Sequence, residues 1–354
     1  MSNKLLRIAF LCMFGALSGC GYQQGAFPRL DATSWQIYKH RFVSSDGRVV
    51  MRGNDDISTS EGQGYGMLFA LAADDRTTFS RIWNWTRTNL AQRKDGLLVW
   101  RWQPQPPHLP ENRNNASDGD LLVAWALTEA GTLWDDATYL QAAKHIAQAY
   151  TRHLVRETPF GPIMLPASEG FVHAHALTVN LSYWVYPALS AMQSVDPDPV
   201  WQRLTTSGLA LTEWAHFGAW QLPPDWLDIS GGQIELSKYM PTHFGYDAVR
   251  IPIYACWAGT PPLPSLVHIH AFLASNNAPA WVDLSHRRHA SHGLSPGERA
   301  VRMLSEKCLE GRKGLREFAS KPPALPKDAG YYDASLILLS RLAAKAASMK
   351  GATQ

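Results

Sequence analysis

Three short segments of the chain each place a carboxylate among small or hydroxyl-bearing residues. They are TSEGQGYGM with Glu61, NNASDGDLL with Asp118 and FGYDAVR with Asp247. A pair of carboxylates is sufficient to hydrolyse a glycosidic bond, because one can protonate the leaving oxygen while the other, ionised, activates water. This chemistry requires that separate loops bring the acids into one groove.

The same segments also fit a structural role at helix starts. Ser60–Gln63 and Ser117–Asp120 match the capping-box pattern, in which a Ser caps the helix and the third residue after it reaches back. A carboxylate such as Asp247 at a helix N-terminus is also favoured by the helix dipole. Capping therefore remains an alternative for each acid taken alone.

Capping does not explain the three glycines at positions 62, 64 and 66. Each glycine costs roughly 1 kcal/mol in a helix interior relative to alanine. We predict that they lower the wall of a groove, so that a flat sugar chain can approach the helix backbone beside an exposed Tyr65.

The elements that must position these acids are helices. Helical periodicity recurs from end to end and alternating strands are scarce, which predicts an all-α protein. Long polar loops precede the three acids, and helix pairs of this kind can form a bundle, a solenoid or a closed toroid. The predicted helices cover residues 32–43, 62–74, 77–90, 119–134, 137–155, 181–194, 199–216, 246–258, 263–275, 296–311, 314–320 and 331–348.

Composition narrows the function classes. The net charge of +3 over 354 residues is weak and no basic run is present, so a nucleic-acid partner is not expected. Fourteen tryptophans are many for one domain, and their rigid rings can stack on flat ligand faces.

The N-terminus has the pattern of an export signal. Lys4 and Arg7 precede the apolar stretch IAFLCMFGAL, which is too short to span a bilayer permanently. LSGC, ending at Cys20, resembles the bacterial lipobox, in which the cysteine becomes the lipidated N-terminus. We therefore predict a lipoprotein signal peptide over 1–19, a tether over 20–30, one domain over 31–348 and a tail over 349–354.

Two cysteines remain in the folded part of the chain. In an oxidising compartment Cys256 and Cys308 could pair, or each could act as a small buried hydrophobic residue. No zinc-binding spacing is present and the HAHA segment at 173–176 lacks neighbouring ligands, so no metal site is expected.

Taken together, the segments TSEGQGYGM, ASDGDLLVAWAL, PDWL and GYDAVR resemble the signature blocks of glycoside hydrolase family 8. Within that family they are similar to the endo-β-1,4-glucanases encoded with bacterial cellulose synthase. The similarity covers residues 32–345. It implies an (α/α)6 barrel, a six-hairpin toroid, and an inverting endoglucanase that needs no cofactor.

The resemblance also implies roles for the acids. Glu61 corresponds to the general acid, Asp247 to the general base and Asp118 to the acid that binds and distorts the sugar. Tyr183 in NLSYWVYPAL corresponds to a tyrosine near the water, although Leu181 stands where the family has proline.

Further substrate contacts are predicted around the acids. Trp100 and Trp102 in VWRW could stack on glucose faces, and Arg113 and Asn115 could hydrogen-bond to sugar hydroxyls. Residues that flank the acids complete the predicted substrate-binding set, namely Tyr65, Tyr246 and Arg250.

The pKa values of the two catalytic carboxylates must be shifted in opposite directions, so that one is protonated while the other is ionised. The helix dipole favours an ionised Glu61, so desolvation and the nearby charge of Asp118 must favour its protonated form. Asp247 is expected to remain wetter, with Arg250 one turn away as a stabilising cation.

The predicted partner is a β-1,4-glucan, cellulose, together with the cellulose synthesis and export machinery. The predicted location is the periplasm, with the lipid anchor as the only membrane attachment, at the outer membrane. Chitosan, xylan or mixed-linkage glucan as substrate, or a non-catalytic carbohydrate-binding lipoprotein, are the alternatives.

Overall fold

Twelve α-helices run through the described part of the chain, residues 27–259 and 263–349 of a computed structural model. The predicted signal peptide, most of the tether and most of the tail lie outside the described residues. The helices are α1 Ala32–Phe42, α2 Ser60–Ala72, α3 Arg76–Asn89, α4 Ser117–Leu133, α5 Ala137–Leu154, α6 Tyr186–Val195, α7 Val200–Trp214, α8 Ile251–Ala258, α9 Pro264–Leu273, α10 Pro296–Leu309, α11 Gly311–Ser320 and α12 Tyr331–Met349.

Each helix lies at one of the predicted positions. The largest differences are at α6 and α8, which both begin about five residues later than predicted. In both cases a separate 3-10 turn precedes the helix, Leu181–Tyr183 before α6 and Ala248–Arg250 before α8.

The helices form an (α/α)6 barrel, as the resemblance implied. From α2 to α12 each even-numbered helix contacts the next one in chain order, and these six helices form the inner ring of the barrel. The inner helices α2 and α4 are buried along almost their whole length, whereas the outer helices α3 and α5 bury one face only. This difference is expected when one ring is enclosed by another.

Glycine allows α2 and α4 to pack closely at their starts. A Cβ atom at Gly64 would lie 2.6 Å from Cβ of Leu122, and one at Gly119 would overlap the hydroxyl of Ser60. A Cβ at Gly66 would similarly lie 2.6 Å from Cγ2 of Val49. The prediction that the glycines of α2 open a path for sugar is therefore wrong, because protein atoms fill the space beside them.

The capping-box interpretation is also wrong. Thr59, not Ser60, caps α2, and its hydroxyl accepts from the Gly62 N–H at 3.0 Å. The amide of Gln63 instead joins two buried segments, since it accepts from Val49 N and donates to the Thr86 hydroxyl.

At α4 the residue before the helix is Ala116, whose side chain makes no cap hydrogen bond. Asp120 does not reach back to it. Its two oxygens accept from Leu98 N and from the amide of Asn115, both at 2.8 Å.

Short antiparallel strands fill loops that were predicted to lack structure. The strand β1 pairs with β2, β3 with β4, β5 with β6, β6 with β7, and β8 with β9. They are β1 Ser58–Thr59, β2 Arg101–Trp102, β3 Val155–Thr158, β4 Gly161–Met164, β5 Leu177–Val179, β6 Leu227–Ser230, β7 Gln233–Leu236, β8 His243–Phe244 and β9 Val282–Asp283.

These strands direct loops towards the helix starts. Pairing of Ser58 with Trp102 fixes the tryptophan-bearing loop beside the start of α2. The β5–β6 pair likewise places the residues after Val179 next to those before Leu227.

Cys256 and Cys308 form a disulfide, with Cα atoms 6.0 Å apart. Of the two alternatives left open by the sequence, the structure has the paired one, and the bond joins α8 to α10. Among the described helices, none combines the length and the apolar character that crossing a membrane requires.

Candidate active site

Three carboxylates from distant parts of the sequence meet at one guanidinium. Glu61 lies in the first turn of α2, Asp118 in the first turn of α4, and Asp247 immediately before the 3-10 turn that leads into α8. The side chain of Arg250 is 7% exposed and contacts all three. It pairs with Glu61 through Nη1 and with Asp247 through Nη2 at 2.6 Å.

This shared partner limits the distance between Glu61 and Asp247. The two terminal nitrogens of a guanidinium are about 2.3 Å apart, and hydrogen bonds to them add about 2.9 Å each. The oxygens that face Arg250 are therefore at most about 8 Å apart, which is compatible with the 6.5–9.5 Å range typical of inverting glycosidases. Both carboxylates are also accessible, with side chains 24% and 29% exposed.

Tyr65 is buried rather than exposed, contrary to the prediction. Its hydroxyl lies 3.0 Å from Oε1 of Glu61 and 2.8 Å from the hydroxyl of Tyr254. Burial raises the pKa of Tyr65 well above its ordinary value, so it stays neutral and can donate to Glu61. Tyr65 therefore orients the Glu61 carboxylate from the protein interior and does not line a groove for sugar.

Asp118 differs from the other two acids because its side chain is only 4% exposed. Burial, reinforced by the charge of Asp247, raises the pKa of Asp118 to about 8. Nη1 of Arg250 is 3.5 Å away and is already paired with Glu61, so it compensates little. Asp118 is consequently protonated at neutral pH, and the predicted effect of its charge on Glu61 is absent there.

Asp247 is more exposed than Glu61, in the expected direction, but the difference between 29% and 24% is small. Burial raises the pKa of Asp247, while the amide of Asn180, which donates to Oδ2 at 3.1 Å, lowers it. Arg250 at 2.6 Å acts in the same lowering direction.

Sequence reasoning missed the residues that support Asp247. Asp225 accepts from the backbone N–H groups of Gly245 and Ala248, and so fixes the turn that carries Asp247. The hydroxyl of Ser182 accepts from Nη2 of Arg250 at 3.1 Å. The signal was available, because Asp225 lies in PDWL and both Asn180 and Ser182 lie in NLSY.

The predicted tyrosines on this side differ in environment. Tyr183 is half-buried, with its ring 5.8 Å from the Arg250 guanidinium and 6.2 Å from the ring of Trp226. Tyr246 is 49% exposed and packs edge-on against Tyr332 at 5.7 Å. Both therefore lie beside Asp247, where aromatic faces could contact a sugar.

The two tryptophans predicted to stack on sugar lie in different surroundings. The backbone carbonyl of Trp100 accepts from Ser60 N at 2.9 Å, so this half-buried tryptophan lies next to the start of α2. The ring of Trp102 instead stacks on His108 at 5.1 Å and lies under the Arg48 guanidinium.

Arg113 and Asn115 are not brought into the acid cluster as sugar ligands. Arg113 is exposed on the loop that lines a separate cavity with residues 107–111. Asn115 is buried, donates to Asp120 and accepts from Ser168 N, so its hydrogen-bonding groups are used within the protein. Its predicted role towards sugar hydroxyls is wrong.

The three acids do not form a metal-binding set, because a guanidinium occupies the space between them. Across residues 27–259 and 263–349, no group of three or more His, Cys, Asp or Glu side chains is arranged to hold a metal ion. The site offers proton transfer and hydrogen bonding.

Residues 4–346 match the model of glycosyl hydrolases family 8. The chain belongs to glycosyl hydrolase family 8. It is 36% identical over 334 residues to a probable endoglucanase of Novacetimonas hansenii, covering 92% of this chain and 94% of that protein. It is 34% identical over 297 residues to an endoglucanase of Cellulomonas uda, covering 82% of each chain.

Solved family 8 structures have the same fold. An endo-β-1,4-glucanase from an Achatina fulica gut metagenomic library superposes with a TM-score of 0.80 at 35% identity, covering 89% of this chain and 98% of that one. The endo-β-1,4-glucanase CMCax from Acetobacter xylinum gives a TM-score of 0.77 at 33% identity, covering 88% and 96%. The suspected membership of family 8 is thereby confirmed, and family 8 enzymes are inverting.

Proposed function

We propose that the protein is an endo-β-1,4-glucanase that hydrolyses internal bonds of cellulose with inversion. The observation that carries this proposal is the convergence of Glu61, Asp118 and Asp247 on Arg250 in a family 8 barrel. A carbohydrate-binding scaffold would have no need for two separate, accessible carboxylates that are paired with the same guanidinium group.

In the proposed mechanism Glu61 is the general acid and protonates the glycosidic oxygen as the bond to the anomeric carbon breaks. Asp247 is the general base and removes a proton from the water that attacks the opposite face of that carbon. Asp118, protonated at neutral pH, donates its O–H to a sugar oxygen and holds the ring in a distorted conformation.

Arg250 opposes the protonated form of Glu61 in the free enzyme, since a cation stabilises a carboxylate. Substrate that enters between Glu61 and Asp247 must weaken the Arg250–Glu61 contact. The other nitrogen of Arg250 stays with Asp247 and Ser182, so the base remains ionised while the acid takes up its proton.

The test is hydrolysis of carboxymethylcellulose by the wild type, by Glu61→Gln, and by Glu306→Gln as an exposed control on α10. Loss of reducing-end release in Glu61→Gln but not in the control supports the assignment. An aryl cellobioside with a good leaving group should restore much of the rate of Glu61→Gln, because its departure needs no proton. Chitosan, xylan and mixed-linkage glucan are assayed in parallel, and turnover of one of these alone would reassign the substrate.

We also propose that the protein acts in the periplasm, anchored by lipid on Cys20 at the outer membrane, and trims cellulose during synthesis and export. The motif LSGC after a short apolar stretch supports the anchor. Labelling with radioactive palmitate should mark the wild type and not Cys20→Ala, and unlabelled wild type would remove the anchor from the proposal.

A further inference from the structure

The two ends of the barrel can be distinguished by the described contacts. The cleft end is where α2, α4 and α8 begin and where Glu61, Asp118 and Asp247 lie. The tether end is the opposite one, where α2, α4 and α12 finish.

The first described residues lie at the tether end. The backbone N–H of Leu30 donates to the carbonyl of Ala72, the last residue of α2, at 2.9 Å. Arg29 pairs with Asp74 at 3.4 Å, and its carbonyl accepts from Lys345, near the end of α12, at 2.8 Å. Three independent contacts therefore fix this segment at the ends of two inner helices.

Phe27 fixes the same segment to the interior of the barrel. Its ring lies 6.0 Å from that of Trp125 on α4 and 6.1 Å from that of Trp257, one residue before the end of α8. The described chain is thus held to the barrel from its first residue, Phe27, by aromatic packing as well as by hydrogen bonds.

The remaining tether, fully extended, is about as long as an inner helix of the barrel. Six residues separate Cys20 from Phe27, and such a chain reaches at most about 25 Å when fully extended. The inner helix α4 has 17 residues, which gives it a length of about 25 Å. Phe27 contacts Trp125, eight residues from the start of α4, so the tether would have to turn back and run about 12 Å along the barrel to bring the cleft end to the bilayer.

We infer that the protein stands on the lipid bilayer with its tether end, so that its catalytic cleft opens away from the membrane surface. This inference rests on the lipid anchor of the proposed function and adds its geometry. It follows that the enzyme acts on glucan in the aqueous space beyond the membrane, and that a chain emerging at the bilayer surface passes the barrel before reaching the acids.

Two exposed positions report on the two ends. Leu133 ends α4 at the tether end and is 42% exposed. Arg299 is exposed in the first turns of α10. That helix starts at the cleft end, because Gly297 N donates to Asp333 at the start of α12, and the neighbouring Tyr332 hydroxyl donates to the Tyr246 carbonyl.

The experiment uses the full chain, matured in a host that lipidates exported proteins and reconstituted into phosphatidylcholine vesicles. Leu133→Cys and Arg299→Cys each carry a fluorophore, and a nitroxide on the lipid headgroup acts as the short-range quencher. Mass spectrometry of the same samples reports the acyl chain on Cys20, and hydrolysis of carboxymethylcellulose reports the catalytic site.

We expect severalfold stronger quenching at position 133 than at 299. Equal quenching, or stronger quenching at 299, in an acylated and active protein would overturn the orientation while leaving the proposed function intact. An unacylated but active protein would overturn both the anchor and the orientation, and inactivity on every glucan would count against the enzyme proposal only.

Two controls test the role of the tether. Cys20→Ala should lose quenching at both positions, and persistent quenching would contradict anchoring through the tether. Insertion of 20 Gly/Ser residues between Ala26 and Phe27 adds a coil with an end-to-end distance of roughly 25 Å. It should reduce the difference between positions 133 and 299, and an unchanged difference would show that the tether does not set the orientation.

Discussion

Arg250 forms an ion pair with Glu61, from which it is separated by 189 residues in the sequence. The same guanidinium pairs with Asp247, three residues before it. The proposed general acid and general base are therefore coupled through a cation that lies three residues after Asp247. One rigid planar group limits the separation of these two carboxylates, so small shifts of α2 relative to α8 would change the contact of Glu61 first.

Asn180→Ala should move the acid limb of the pH–rate profile to higher pH. The Asn180 amide lowers the pKa of Asp247, so its loss raises that pKa, and a higher pH is then needed to ionise the base. The measurement is kcat/KM on carboxymethylcellulose between pH 4 and pH 9.

Asn89→Ala, at the end of the outer helix α3, is the matched amide control and should leave the profile unchanged. A shift of the acid limb of Asn180→Ala to lower pH would contradict the assignment of Asp247 as base.

Sequence periodicity was sufficient to place the helices, because the inner and outer rings both need long apolar faces. It could not anticipate that the glycines of α2 serve helix packing, since the contact of Gly64 with Leu122 depends on how α2 and α4 approach each other. The 3-10 turn before α8 was missed for a similar reason, because it depends on Asp225, which bonds to the backbone of Gly245 and Ala248 that only the tertiary fold brings near. The turn before α6 is instead capped locally, by Asn180 accepting from Ser182 N.

Sequence reasoning placed the accessible acids of the site correctly. It was less successful for residues whose hydrogen-bond partners are other groups of the protein. Glu61 and Asp247 both line the accessible site. Asn115 and Tyr65 were assigned to the substrate, but burial directs their polar groups to Asp120 and to Tyr254. A polar residue that is close in sequence to such an acid can point into the accessible site or into the protein interior, and only the packing of the fold decides between the two.

Asp118→Asn should change how stability depends on pH. The folded-state pKa of Asp118 is raised from 3.8 to about 8, so between these values the folded protein binds a proton that the unfolded chain releases. The free energy of unfolding of the wild type then falls as pH rises through that window, by up to about 1.4 kcal/mol per pH unit from this group.

Asn cannot ionise, so Asp118→Asn should lose less stability between pH 4 and pH 8 than the wild type does. Urea unfolding at several pH values in this range measures the difference, and Asp135→Asn on the loop after α4 is the control. Parallel curves for the wild type and Asp118→Asn would show that Asp118 is ionised in the folded state.

Gly64→Ala should destabilise the barrel by about 1–3 kcal/mol, as expected of overpacking. Its Cβ would lie 2.6 Å from Cβ of Leu122 and 3.1 Å from a backbone carbon of α4, and neither atom can rotate away. This range is the net effect of the substitution, after the gain of about 1 kcal/mol that alanine brings to a helix.

Hydrolysis should fall as well, because Glu61 moves with α2. The control is Gly330→Ala, whose Cβ would meet nothing within 4 Å. Unchanged stability with a selective rise in KM for polymer would instead favour the earlier hypothesis that Gly64 lowers the wall of the groove.

Removal of the Cys256–Cys308 disulfide should lower the free energy of unfolding by about 4 kcal/mol. The bond closes a loop with a sequence separation of 52 residues, and the loss of its constraint on the unfolded chain gives a value of that order. Urea unfolding of Cys256→Ala/Cys308→Ala against the oxidised wild type measures it. The wild type in reducing agent should resemble the double variant, which separates the effect of the cross-link from that of the packing of the two side chains.

Loss of the disulfide should also lower activity. Because α8 follows directly from Asp247 and Arg250, the acid cluster should lose rigidity, so kcat of the reduced protein should fall at urea concentrations well below its unfolding transition. Full activity and full stability after reduction would mean that the contacts between α8 and α10 hold this side of the barrel without the bond.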